Sequence, residues 1–145
     1  MNNIENNSNL EIKSNQILSN YIRELNNDVK LSISNLREKS LTCSAIWAKW
    51  ISYLFLEKDN MQRITDAKQK ILKTKMNQLK MQDSLLKMKS EDKISENDEN
   101  MKKLNMLQKN TQDCIDFIER SLNMLSSFGF SIKNALEALK LETSH

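Results

Sequence analysis

Six cations gathered on one helical stretch are the residues best equipped for chemistry. Arg63, Lys68, Lys70, Lys73, Lys75 and Lys80 fall within residues 60–82, where Asp66 is the single acid. Long cationic stems of this kind suit neutralisation of a phosphate backbone. Lys68 and Lys75 are seven residues apart and nearly aligned on a helix, as are Lys73 and Lys80, while Lys70 and Lys73 share a side at i,i+3. Gln69, Asn77 and Gln78 add neutral hydrogen-bonding groups between them. Lysine outnumbers arginine, so the rigid fork that reads base edges is scarce. The chemistry to expect is contact with phosphates, sensitive to salt and nearly indifferent to sequence. The same face also suits a solvated helix surface, or contact with acidic protein.

The positive charge is local. Net charge over 145 residues is only +3, yet residues 49–89 carry ten basic and four acidic side chains, while residues 90–145 carry seven basic and ten acidic. Most catalytic classes lack their parts. The one histidine, His145, is terminal, Gly129 stands alone without a phosphate-binding loop, and Cys43 and Cys114 form no CxxC pair. Asp113 and Asp116 are ordinary surface acids at i,i+3. The expectation is a binding or assembly protein with no enzyme activity, no metal site and no cofactor. Two distant cysteines without a signal-peptide pattern fit a reducing compartment. The most apolar window, Ile46 to Leu56, contains Lys49 and is too short to cross a bilayer, which takes roughly 20 residues.

The elements that must position these cations are helical. One Gly and no Pro leave almost no turn punctuation, which predicts an all-α fold with a long central helix and shorter packing helices. Residues 1–8 should fray, and residues 9–145 form a single helical domain. Apolar residues from Leu10 to Leu36 recur at helical spacing and predict a first helix. Arg37 to Ser40 reads as a polar link, with Ser40 or Thr42 capping a second helix that runs unbroken to Lys89. The acidic run 90–100 reads as a connector, with Ser95 and Asp98 at capping-box spacing. A third helix continues from Met101 to Leu125. Ser126 to Ser131 then predicts a turn in which Gly129 relieves backbone strain, followed by a short helix over Ile132 to Leu139. Trp47 and Trp50, at i,i+3, fit a core or subunit interface better than a base-stacking platform.

The segment Trp47-Ala48-Lys49-Trp50, continuing through Met61-Gln62-Arg63-Ile64 to Leu72-Lys73-Thr74-Lys75-Met76, resembles the UvsY-like recombination mediators of T-even-like bacteriophages. So does Ile115-Asp116-Phe117-Ile118 followed by Ser127-Phe128-Gly129-Phe130-Ser131-Ile132-Lys133. The likeness covers about Ala45 to Leu141 and is poor in the acidic connector and the N-terminal region. It implies an all-helical homo-oligomer, a ring of six or seven subunits, active in DNA recombination, repair and replication. The implied partners are single-stranded DNA, a phage recombinase and the phage single-stranded-DNA-binding protein, in the cytoplasm of the infected host and with no membrane. The implied activity is loading the recombinase onto covered strands. Lys73 and Lys75 fall at the family's basic pair for DNA, with Arg63, Lys68, Lys70 and Lys80 as electrostatic support. The family's C-terminal self-association region corresponds to residues 115–141, with Leu122, Leu125, Phe128, Phe130, Ile132, Leu136 and Leu139 as its apolar contacts. From another class, a helical adaptor with no direct DNA binding is the alternative.

Overall fold

A computed structural model describes residues 16–79 and 98–144. Among them are three α-helices and no strands: α1 (16–28), α2 (Leu36–Leu79) and α3 (Glu99–Thr143). The long central helix expected from the missing Gly and Pro is present. Residues 1–15, the connector over 90–97, Ser95 and the end of the second helix at 80–89 lie outside the described residues.

Helix boundaries differ from the sequence expectation in three places. The first helix does not continue to Leu36. Val29 N–H closes the last turn of α1 on the Leu25 carbonyl at 3.0 Å, and the chain then turns. Asn35 makes that turn, because its Oδ1 accepts the Ser32 N–H at 2.8 Å and its Nδ2 donates to the Lys30 carbonyl at 3.0 Å. Its own carbonyl then accepts the Lys39 N–H at 2.9 Å, the opening bond of α2. A short polar side chain has outcompeted the helix for backbone partners. Arg37 to Ser40 is therefore helical, and Thr42 donates to the Glu38 carbonyl within α2 instead of capping it.

The second difference is at Gly129. No turn separates Leu125 from Ile132, and α3 passes straight through. The serines that suggested a turn are satisfied inside the helix, Ser126 donating to the Leu122 carbonyl and Ser131 to the Ser127 carbonyl. Nothing lies within 4 Å of where a Cβ on Gly129 would sit. At its other end α3 starts earlier than expected, with Glu99 and Asn100 already helical and Asp98 as the cap.

The chain divides into two compact units. Unit 1, residues 1–56 with 114–145, packs α1, the first part of α2 and the C-terminal part of α3 around Trp50, which is fully buried. Tyr21, Leu25, Leu36, Ile46, Ile118, Leu125, Phe128 and Ile132 complete the core. Its aromatics meet edge-on or tilted, Trp50 lying 5.4 Å from Tyr53 and 6.2 Å from Phe117, geometry that suits the ring quadrupoles. Cys114 is buried in this core and Cys43 packs against it, both as free thiols.

Polar contacts fix the approach of α1. Trp50 donates its indole N–H to Asp28 at 2.8 Å, and Tyr53 donates its hydroxyl to Glu24 at 2.8 Å. Lys49 spans the same two carboxylates at 2.6 and 2.9 Å. Burial disfavours the Lys49 ammonium, but the hydrogen bonds and charges of Asp28 and Glu24 outweigh it and raise the pKa. Burial and then the Glu24 carboxylate likewise raise Tyr53.

Unit 2, residues 57–113, consists in its described part of α2 and α3 running antiparallel. The direction follows from two pairs, Lys68 with Gln108 and Lys75 with Asp98. Its apolar packing is thinner. Met101 is fully buried, and Glu57 and Thr111 are the buried polar side chains.

Candidate nucleic-acid interface

The cations of unit 2 occupy α2, whose 100° step per residue decides which of them act together. Arg63 and Lys70 are seven positions apart and differ by about 20°, and Lys73 lies about 60° from Lys70. All three are exposed. Arg63 pairs with Asp59 one turn earlier at 2.9 Å, an exposed contact that water screens heavily. Lys70 and Lys73 have no hydrogen-bonded or ion-paired partner among the described residues. Together these three make an outward cationic row, which the exposed acid Asp66 shares at about 60° from Arg63.

Lys68 and Lys75 belong to a different side. The Lys68 ammonium donates to Gln108 Oε1 at 2.7 Å, and the side chain is half-buried. Lys75 reaches Asp98 Oδ2 at 3.5 Å while remaining 48% exposed. Both therefore turn toward α3. Lys73 and Lys75 sit two positions apart, about 200° around the helix, and cannot point the same way. The basic pair singled out by sequence is thus divided between an outward row and an inner pair. Lys80 lies outside the described residues.

Asp98 is the site residue that sequence reading missed, having placed it only at capping-box spacing from Ser95. Its Oδ1 accepts the Met101 N–H at 3.0 Å and its backbone carbonyl accepts the Lys102 N–H at 3.0 Å, so it caps α3. Its other oxygen faces Lys75. The Met101 amide above all, helped by the Lys75 charge, holds the Asp98 carboxyl below the usual carboxylate range against the opposing cost of burial. The legible signal was an Asp three residues before the amphipathic run beginning at Met101, the spacing from an N-cap to the amide it accepts.

The C-terminal residues assigned to self-association serve the core of unit 1 to different degrees. Leu125, Phe128 and Ile132 are buried in it, and Leu122, Leu136 and Leu139 pack partly against it. Phe130 is 71% exposed, and Leu141 is exposed with it. Beside Leu139 a cleft of about 340 Å³ opens, lined by Leu31, Ile33, Leu36 and Ala135 among others. Trp47 is 43% exposed, in contrast to the buried Trp50. The Trp47 to Trp50 segment is thus largely an internal docking element, since Lys49 and Trp50 hold α1.

Fold and charge define an all-α protein with a cationic face on a long helix. The family model described as "Recombination, repair and ssDNA binding protein UvsY" matches residues 24–145, and the chain belongs to that family. The fold is similar to two crystal structures of the bacteriophage T4 recombination mediator protein UvsY. Lattice type IV gives a TM-score of 0.71 at 23% identity, covering 86% of this chain and 98% of that one. Lattice type II gives 0.68 at 19% identity, covering 87% and 97%. No curated protein sequence matches the chain. Among the described residues, no helix is long and apolar enough to cross a membrane.

Proposed function

We propose that this chain is a recombination mediator without enzymatic activity. It holds single-stranded DNA through phosphate contacts and promotes loading of a phage recombinase onto strands covered by single-stranded-DNA-binding protein, in the cytoplasm of the infected host. The observation that carries the DNA-binding part is the outward row of Arg63, Lys70 and Lys73 in a member of a single-stranded-DNA-binding family. Lys68 and Lys75 add charge on the side of α2 that turns toward α3, and Lys80 extends the row in sequence. The contacts neutralise phosphates and leave bases unread, so strands of different sequence bind alike.

Self-association repeats the row. Phe130 and Leu141, with the cleft beside Leu139, supply apolar surface for a second copy, and a closed ring of six or seven subunits would bury it in each. A ring also links weak sites, because a strand held at one protomer stays at high effective concentration near the next.

The test is anisotropy of a labelled oligonucleotide across a salt series, with sedimentation of the same protein. Lys70→Ala with Lys73→Ala should leave fold and subunit number intact and weaken binding. The slope of log affinity against log salt should fall by about 0.7 for each phosphate that is no longer neutralised. An intact double variant that binds like the parent at every salt rejects the row as the site. A parent that fails to bind DNA passes the basic face to the adaptor reading.

A further inference from the structure

We propose that Asp98 is a built-in competitor for the DNA site: its carboxylate occupies Lys75 in the strand-free protein, and a phosphate must displace it to gain that lysine. The inference rests on the DNA-binding role of the basic helix and adds a residue that sets the affinity of that role. The two oxygens of Asp98 have separate duties. Oδ1 accepts the Met101 N–H at 3.0 Å, and Oδ2 lies 3.5 Å from the Lys75 ammonium. The capping bond fixes the carboxylate at the start of α3, so its second oxygen is held toward Lys75 without a flexible stem. To the ammonium, this is an anionic oxygen of the kind a phosphate offers.

Accessibility makes exchange feasible. Lys75 is 48% exposed and Asp98 only 15%, so the lysine is the partner that a strand can approach. Exposed ion pairs are weak and screened, and a phosphate backbone bringing several charges at once can replace one. The neutral Gln108 that accepts from Lys68 imposes no equivalent charge competition. Of the two inner lysines, Lys75 is therefore the one whose engagement with DNA is opposed by a fixed negative charge.

Asp98→Asn isolates the effect, since asparagine caps a helix as well as aspartate and retains an oxygen for the Met101 N–H. Circular dichroism checks that helicity is unchanged, and Asp98→Ser, another capping residue, gives a second neutral variant. Binding of a labelled oligo-dT should tighten about two- to fivefold at low salt, the scale of an exposed ion pair, and the gain should fade as salt rises. Glu99→Gln removes the same charge one residue away, from a side chain paired with Lys102 at 3.5 Å, and should give a smaller gain. In a Lys75→Ala background, Asp98→Asn should change nothing. The competitor role is overturned if neither neutral variant tightens binding, if Glu99→Gln matches them, or if the gain persists without Lys75. It is overturned too if Lys75→Ala binds like the parent at every salt, whereas the underlying DNA role fails separately, if the parent itself does not bind the oligonucleotide.

Discussion

Unit 1 and unit 2 draw on the same two long helices and use them oppositely. In unit 1, α2 presents Trp50 to a core that buries aromatic and aliphatic side chains from three helices, and its half-buried Lys49 is tied to two carboxylates. In unit 2, α2 turns lysines outward and rests on α3 through thinner packing, with Met101 as the fully buried apolar side chain. Apolar burial supplies folding free energy in proportion to area, so unit 1 should carry most of the stability and unit 2 most of the capacity for anions. Substitutions that stop the protein folding and substitutions that stop it binding should therefore separate along a single helix.

The sharpest way to break this contrast is Trp50→Ala. Removing a fully buried indole costs about 3–5 kcal/mol and strips Asp28 of its N–H donor, so urea unfolding should move far to lower denaturant. A midpoint close to the parent's would mean that unit 1 is not the stability centre. Next in size is the division of the basic helix. Lys70→Ala with Lys73→Ala should weaken oligonucleotide binding more than Lys68→Ala with Lys75→Ala, because the first pair is exposed without partners among the described residues and the second is engaged by Gln108 and Asp98. Equal weakening in titrations at one salt concentration would erase the distinction between the outward row and the inner pair.

A smaller effect, of opposite sign, should come from Gly129→Ala. Glycine inside a helix costs roughly 0.5–1 kcal/mol relative to alanine, and open space surrounds the new methyl, so the melting temperature should rise. A fall would show that another surface closes on Gly129. The smallest expected effect is alkaline. Lys49 and Tyr53 both have pKa values raised above their ordinary 10.5 and 10.0, so the folded chain binds more protons than the unfolded one in that range. Their contribution is fully present below about pH 10 and is lost as pH rises through the raised values. Tyr53→Phe should flatten this decline in stability measured from pH 9 to 11. An unchanged slope would place the alkaline sensitivity elsewhere.

Much of the architecture was legible in residues that were missing. With no Pro and one Gly, little could interrupt α2, and the expected long helix is there. Boundaries were harder to read. Ile33 and Leu36 fit one helical period, but Ile33 is 83% exposed in the turn and Leu36 is buried at the start of α2. Their spacing could not reveal that the Asn35 amide would take the backbone groups between them. Gly129 misled in the other direction. Glycine permits a turn without requiring one, and the apolar contacts of Phe128 and Ile132 with the unit 1 core keep the helix going.

Periodicity, composition and motif order are properties of the chain before it folds. They were enough to determine the kind of element, the concentration of cations in residues 49–89 and the likeness to a family. Which charges cooperate was decided by tertiary packing. Lys49, Lys68, Lys73 and Lys75 are the same residue type on the same helix, yet one is clasped by Glu24 and Asp28, one is bound to Gln108, one is exposed, and one is held by Asp98. The most distant of these partners, Gln108, lies 40 residues from its lysine in sequence. An ammonium's availability depends on what stands within a few ångströms of it, and only the packing of α1 and α3 against α2 brings those carboxylates and amides there.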